Sequence, residues 1–272
     1  MSKLPPARLL LALAAILPAL SAPARAQTPP STPPTWAVLS LVGDQLDAVT
    51  YQPQIGTHLD ANSHQPIPMG GADVLDTVAL RATNKALRAS APFRDVALLA
   101  ASSPETFVDE SRFFSGGHVT LPADVEEAVR QAGASCLVLI TKHRADARLR
   151  VRDGFIGSGK LEGLGFYLDT VHRMRDGDTA ERTVGFLAPF AYVDVTLVDV
   201  ASHAVLRQVT ITASETVTPT RPANGAAVWD ALSGPEKIAA LSQLLSSNLA
   251  QVVPQLVRER APDWSRVSVP QS

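Results

Sequence analysis

The chain has little that would mark it as an enzyme or as a nucleic-acid protein. It carries a single cysteine, Cys136, among 272 residues, so no internal disulfide can form. That cysteine sits in the apolar run Cys136 to Ile140 and reads as a small buried hydrophobe. Aromatic residues make up only 5% of the chain, and basic residues do not exceed acidic ones, with 24 Lys+Arg against 26 Asp+Glu. A nucleic-acid partner, which would call for a basic face, is therefore not expected. No G-x-S-x-G elbow is present, so a serine hydrolase triad cannot be assembled. No acidic residue precedes Asp44.

That acid-free beginning has the composition of an export signal. Lys3 and Arg8 form a positive start, Leu9 to Leu20 an apolar run, and Ala24 and Ala26 fill the small positions before a cleavage point. The apolar run is shorter than the roughly 20 residues of a spanning helix. Residues 1–26 are expected to be removed after Ala26, and the protein to work in the periplasm. Cleavage takes away Lys3, Arg8 and Arg25, leaving 21 basic residues against 26 acidic and a formal charge of −5 over 246 residues. No cysteine follows the apolar run to carry a lipid, and no later run is long enough for a transmembrane helix.

Residues 27–35, QTPPSTPPT, form a Pro-rich linker. A single α/β domain is expected over 36–261, with a loose tail at 262–272. Trp36 to Val42 and Gln45 to Gln52 read as strands joined by a Gly43-Asp44 hairpin. Residues 53–71, with Pro53, Pro66 and Pro68, read as a long irregular loop. Helices are expected over 73–89 and 122–132, the second stopped by Gly133. Strands are expected at 96–100 and 136–140 and around Leu149, and 191–197 with 205–211 forms the clearest hairpin. Ser233 and Glu236 fit a capping box that opens a final helix, with Pro254 kinking its end. This order predicts the α/β (α+β) class. A mixed sheet carries packed helices, an antiparallel meander fills the C-terminal half, and a helix closes the chain.

Several motifs come near to chemistry. Gly154 to Lys160 matches half of a phosphate loop, but Leu161 replaces the magnesium-binding Ser or Thr and glycines spoil a following helix. Gly43-Asp44-Gln45-Leu46-Asp47 matches a fragment of binuclear phosphoesterases without their upstream D-x-H. His58, Asp60 and His64 cluster in the first loop and are the metal-ligand candidates, though their spacing fits no helix face. His118, His143, His172 and His203 read as isolated. Residues 153–190 form a Gly-rich excursion that concentrates the aromatics. Phe155, Leu164, Phe166, Tyr167, Phe186 and Phe190 are the candidates for an interaction surface, with an ordinary hairpin packed on the sheet as the equal alternative.

The element order, with AYVDVTLVDVASHAVLRQ at 191–208, resembles the periplasmic α/β domains of the CsgG-like, FlgO-like and TolB N-terminal-domain group. The turn Asp199 to His203 lacks that group's usual glycine, and the lipid-anchor cysteine of several members is absent. The resemblance implies an envelope assembly or interaction role without catalysis, and transfers no binding residue. In the curli channel an inserted hairpin pair builds a membrane barrel. The excursion 153–190 holds a comparable place, but Lys160, Glu162, Arg173, Arg175, Asp176 and Asp178 suit lipid contact poorly unless they face a lumen. The expected function is thus that of a non-catalytic envelope interaction module with protein partners and no cofactor, its oligomeric state left open. The alternative is a metal-dependent periplasmic hydrolase using Asp44, Asp47, His58 or His64.

Overall fold

A computed structural model describes residues 35–43, 45–53, 61–69, 74–90, 95–101, 107, 113–175, 182–218 and 228–258. In chain order the strands are β1 (Thr35–Ser40), β2 (Gln45–Thr50), β3 (Ser63–Pro68), β4 (Asp95–Leu99), β5 (Phe114–Ser115), β6 (His118–Val119), β7 (Cys136–Lys142), β8 (Arg144–Asp146), β9 (Leu149–Val151), β10 (Gly154–Ile156), β11 (Lys160–Arg175), β12 (Arg182–Asp199) and β13 (Val205–Ser214). The helices are α1 (Val74–Ser90), α2 (Ala123–Gln131) and α3 (Gly234–Arg258). Nine strands make one mixed sheet, in the order β3-β2-β11-β12-β7-β1-β4, with β13 on β12 and β8 on β11. The α/β class and the closing helix are as the sequence indicates.

Register explains the sheet's shape. The long strand β12 is the spine. Its 190–198 stretch pairs with β13 along one edge. Along the opposite edge β7 and β11 lie end to end: Lys142 is opposite Val193, and Gly163 is opposite Tyr192, the next residue of β12. One level out, β1 runs parallel to β7 and β2 parallel to β11. Pairs of short strands thus act as composite strands, broken at residues 41–44 and 143–159.

The expected Gly43-Asp44 hairpin is therefore wrong. β1 and β2 do not pair; they follow each other along the sheet, each on its own partner. Asp44 lies outside the described residues. The bend at 42–43 is pinned from α1 by Asp76, whose carboxylate accepts from the backbone N–H of Val42 at 3.0 Å and of Gly43 at 3.2 Å. A Cβ on Gly43 would stand 2.6 Å from Asp76 Oδ2, so glycine is required there. The first loop also needs correction. Residues 63–68 form edge strand β3 on β2, where Pro66 and Pro68 are tolerated because an edge needs fewer donors. The Gly-rich excursion takes the packed-hairpin form: residues 160–175 form a sheet strand that pairs antiparallel with β12.

Alternation divides the burial. Val193, Val195 and Leu197 face one side, where they meet β1 and β7 residues beneath α1 and α3. The other side carries two separate apolar clusters. One, of Ala37, Leu39, Leu137, Leu139 and Val198, is covered by Val125 and Val129 of α2. The second, of Tyr167, Phe186, Phe190 and Tyr192, is covered by Ala147, Leu149 and Leu161 of the 144–161 segment. Two phenols fasten that cover. Arg148 N donates to Tyr192 Oη at 2.8 Å and Ser158 N to Tyr167 Oη at 3.3 Å. Burial pushes both phenols above their ordinary value, and those same hydrogen bonds offset part of the rise.

Helix ends follow local chemistry. Gly133, at φ 61°, accommodates the turn after α2. In α3, Glu236 reaches back to accept from Ser233 N at 2.7 Å. The Ser233 hydroxyl donates to the same carboxylate, so the reciprocal half of the box is replaced by a second bond to Glu236. Pro254 lies within α3, which continues to Arg258.

Candidate functional site

Between the α2 lobe and the 144–161 lobe, on the same face of the sheet, lies a groove of about 1150 Å³. It sits where β7 ends and β11 begins. Its position follows from the break in the composite strands: β7 ends at Lys142, the pairing of β11 with β12 begins at Gly163, and the lining between is polar. The floor carries Asp47 of β2, Thr141 of β7, Asp194 of β12 and Gln208 of β13. The β5–β6 turn, with His118, forms one wall, and His143, Arg144 and Glu162 form the other.

Each groove carboxylate has a basic partner. His64 Nδ1 lies 2.7 Å from Asp47 Oδ2, joining β3 to β2 across the sheet edge. His143 Nδ1 lies 3.0 Å from Asp194 Oδ2, and Thr210 donates to Asp194 Oδ1 at 2.5 Å. Arg144 and Glu162, opposite each other in the β8–β11 pairing, approach to 3.5 Å. An ionised carboxylate only accepts, so in both His–Asp pairs the proton sits on Nδ1. The groove presents acceptors, guanidinium and amide donors, and apolar wall from Phe107 and Phe114. Such a surface can hold a polar ligand by paired donors and acceptors.

The sequence candidates scatter. Asp47 and His64 do come together, and both line the groove. Asp44, His58 and Asp60 lie outside the described residues. Among the described residues no group of three or more His, Cys, Asp or Glu could hold a metal ion. Of the two readings of the 153–190 aromatics, burial supports the hairpin packed on the sheet over the interaction surface. Leu164, Phe166, Tyr167, Phe186 and Phe190 are almost wholly enclosed in the monomer, with Tyr167 stacked on Phe186 at 6.1 Å and Phe190 edge-on to Tyr192 at 5.7 Å. Tyr167, Phe186 and Phe190 lie under the 144–161 lobe, and Leu164 and Phe166 pack in the core beneath the helices on the other side of the sheet. Only Phe155, 57% exposed, remains on the surface.

The histidines read as isolated are also corrected. His143 and His172 pair with Asp194 and Asp169, His203 lies 3.9 Å from Glu126, and His118 lies 3.3 Å from the Gly116 carbonyl. The His143–Asp194 and Arg144–Glu162 pairs escaped the sequence reading because each joins residues distant in the chain. One signal was present: Asp194 interrupts an otherwise apolar strand, and His143 follows directly on another. Cys136 is buried, as expected of a small core residue.

No protein-family model matches the chain, and no curated protein matches it. Solved structures similar to it include a neuraminyllactose-binding hemagglutinin homolog from Helicobacter pylori, at 9% identity and TM-score 0.40, covering 88% of this chain and 90% of that one. Protein XCC0632 from Xanthomonas campestris, of the DUF330 family model, is similar at 11% identity and TM-score 0.33 over 84% and 87% of the two chains. PelC from Paraburkholderia phytofirmans, described as a dodecamer, is similar at 13% identity and TM-score 0.30 over 82% and 89%. These are other proteins than the CsgG-like, FlgO-like and TolB group expected from the sequence. At such identity and score no ligand, partner or assembly state transfers to this chain.

Proposed function

We propose that this chain is an exported, non-catalytic interaction module of the periplasm, which takes a polar ligand or an envelope protein into the groove between its two lobes. The observation that carries the reading is the groove itself: every described carboxylate in it is tied to a His or an Arg, so it offers a fixed array of donors and acceptors. The acid-free, apolar beginning with Ala24 and Ala26 supports export. Among the described residues no helix is long and apolar enough to cross a membrane.

The test uses charge reversal on exposed groove walls, Arg144→Glu with Glu162→Lys, which preserves net charge and spares the core. Capture of envelope components by the exported protein, read by cross-linking and mass spectrometry, is expected to fall at least tenfold with unchanged thermal unfolding. Unchanged capture refutes the groove as the contact, and an intact Met1 in the natural protein refutes export. A second reading is favoured by one specific contact. The Asp47–His64 pair sets an imidazole against a carboxylate, the combination that a metal or general-base site of the hydrolase alternative requires. A stoichiometric zinc or manganese lost in His64→Ala would decide for it.

A further inference from the structure

The outer face of the β9–β10 hairpin carries a patch unlike the rest of the molecule. Leu149 and Val151 point inward, so Arg148 and Arg150 alternate outward and Arg152 follows in the turn. Phe155 is opposite Arg150 in the pairing, and cross-strand partners share a face. It is the most exposed of the large hydrophobics, and the Arg148 guanidinium lies 4.7 Å from its ring centre. None of these three arginines has a carboxylate within ion-pair distance among the described residues, whereas nearby Arg144 and Lys160 are held by Glu162 and Asp146. Asp153 and Glu215 are the neighbouring acids; Glu215 shares a shallow surface dip with Arg150 and Arg152. The chain as a whole is acidic, at −2.

We propose that this hairpin face docks the protein peripherally on an anionic phospholipid bilayer. Three guanidinium groups with no carboxylate partner among the described residues match lipid phosphates, which accept forked donors. An exposed aromatic ring beside them suits the headgroup boundary, where amphipathic groups concentrate. The shape favours lipid over a protein partner. One ring and three arginines on the outer face of a two-stranded hairpin offer far less than the roughly 800 Å² per partner that a stable protein interface covers. A bilayer needs only insertion of the ring and approach of the charges. The acidic remainder of the surface is repelled, so the hairpin is the side presented to the membrane. This site is separate from the groove, and neither depends on the other.

The experiment is co-sedimentation with vesicles, using the chain from Gln27, which contains every described element and lacks the apolar run that would bind lipid by itself. Vesicles of phosphatidylglycerol and phosphatidylcholine in equal parts are compared with phosphatidylcholine alone. Binding to the anionic vesicles, weakening with added salt, is expected. Each arginine near an anionic surface is worth about fivefold in partition, so Arg148→Gln with Arg150→Gln and Arg152→Gln lowers binding about a hundredfold. Phe155→Ser weakens it separately and Phe155→Trp retains it. All these side chains are exposed, and unchanged unfolding temperature verifies the variants. Equal binding to both vesicle types, no binding to either, or variants that sediment like the parent would overturn the proposal. So would loss of a protein partner, rather than of vesicles, in the same variants.

Discussion

Replacing Asp76 by alanine should unfasten the sheet from α1 at its bend. The carboxylate holds two backbone donors, Val42 N and Gly43 N, at 3.0 and 3.2 Å, and both residues are buried. With the side chain cut to a methyl, both N–H groups lose their carboxyl acceptor in a closely packed site, where a Cβ on residue 43 would meet Asp76 itself. A buried donor left without a partner costs about 1–3 kcal/mol. Two together give a loss of about 3–4 kcal/mol. At about 2–4 °C per kcal/mol for a chain of this size, the thermal midpoint should fall by about 10 °C. Urea unfolding is the sharper assay, because the midpoint should drop by about 1–2 M with the slope unchanged. Asp76→Asn keeps one oxygen to accept one of the two N–H groups, so it should lose about half as much. If Asp76→Ala costs under about 1 kcal/mol, Asp76 is not what fixes the bend, and the account of how β1 passes into β2 fails.

Two further outcomes are open to measurement. A Cβ on Gly165 would stand 2.0 Å from the Asp47 carbonyl oxygen, a backbone atom in the β2–β11 pairing that cannot yield. Gly165→Ala should therefore prevent accumulation of folded protein, while Gly234→Ala, with nothing within 4 Å of its Cβ, should leave stability within about 1 kcal/mol. Tyr167→Phe and Tyr192→Phe each remove the acceptor of a lobe N–H and should cost about 1–2 kcal/mol, with faster hydrogen exchange confined to residues 146–158. The pH dependence has a definite sign. Both phenols are raised by burial, so the folded chain keeps protons that the unfolded chain releases above about 10; the stability they support is intact below that value and declines as pH rises past it. Alkaline unfolding that sets in at the same pH in the double phenylalanine variant would refute this.

How much of this was legible beforehand depended on the range of the interaction. Helices α1, α2 and α3 rest on local period and caps, such as Gly133 and Glu236, and were readable within a turn or so. Strand β7 was readable too, because its continuous apolar run answers to burial on both faces. What failed were features set by partners far away in the chain. Gly43-Asp44 looks like a hairpin turn because glycine there is locally ambiguous. Only the approach of Asp76, 33 residues on, shows that the glycine answers a close contact rather than a reversal. Proline at 66 and 68 argued against a strand, yet an edge position removes the objection. The aromatics of 155–190 fit either a surface or a packed hairpin in the sequence, because glycines surround them. Gly165 instead lets two strands close together, and that closeness places the neighbouring rings inside.

The groove arises from the same long-range geometry. A strand pair that ran unbroken from β7 into β11 would leave Asp47, Thr141 and Asp194 on a flat, solvated sheet face. Because β7 instead ends at Lys142 and β11 takes up the pairing with β12 from Gly163, the intervening segment builds a lobe on one side and brings His143 to Asp194 and Arg144 to Glu162. The lobe in turn is held by Tyr167 and Tyr192, whose hydroxyls lie among otherwise apolar neighbours. Loss of those two hydroxyls should thus loosen the groove wall while the helix-covered face of the sheet, packed by α1 and α3, stays intact. A polar site positioned by a seam in the sheet is invisible to any motif search, since none of its pairs shares a local spacing. It becomes visible only once register shows which strands end and which begin at the same level.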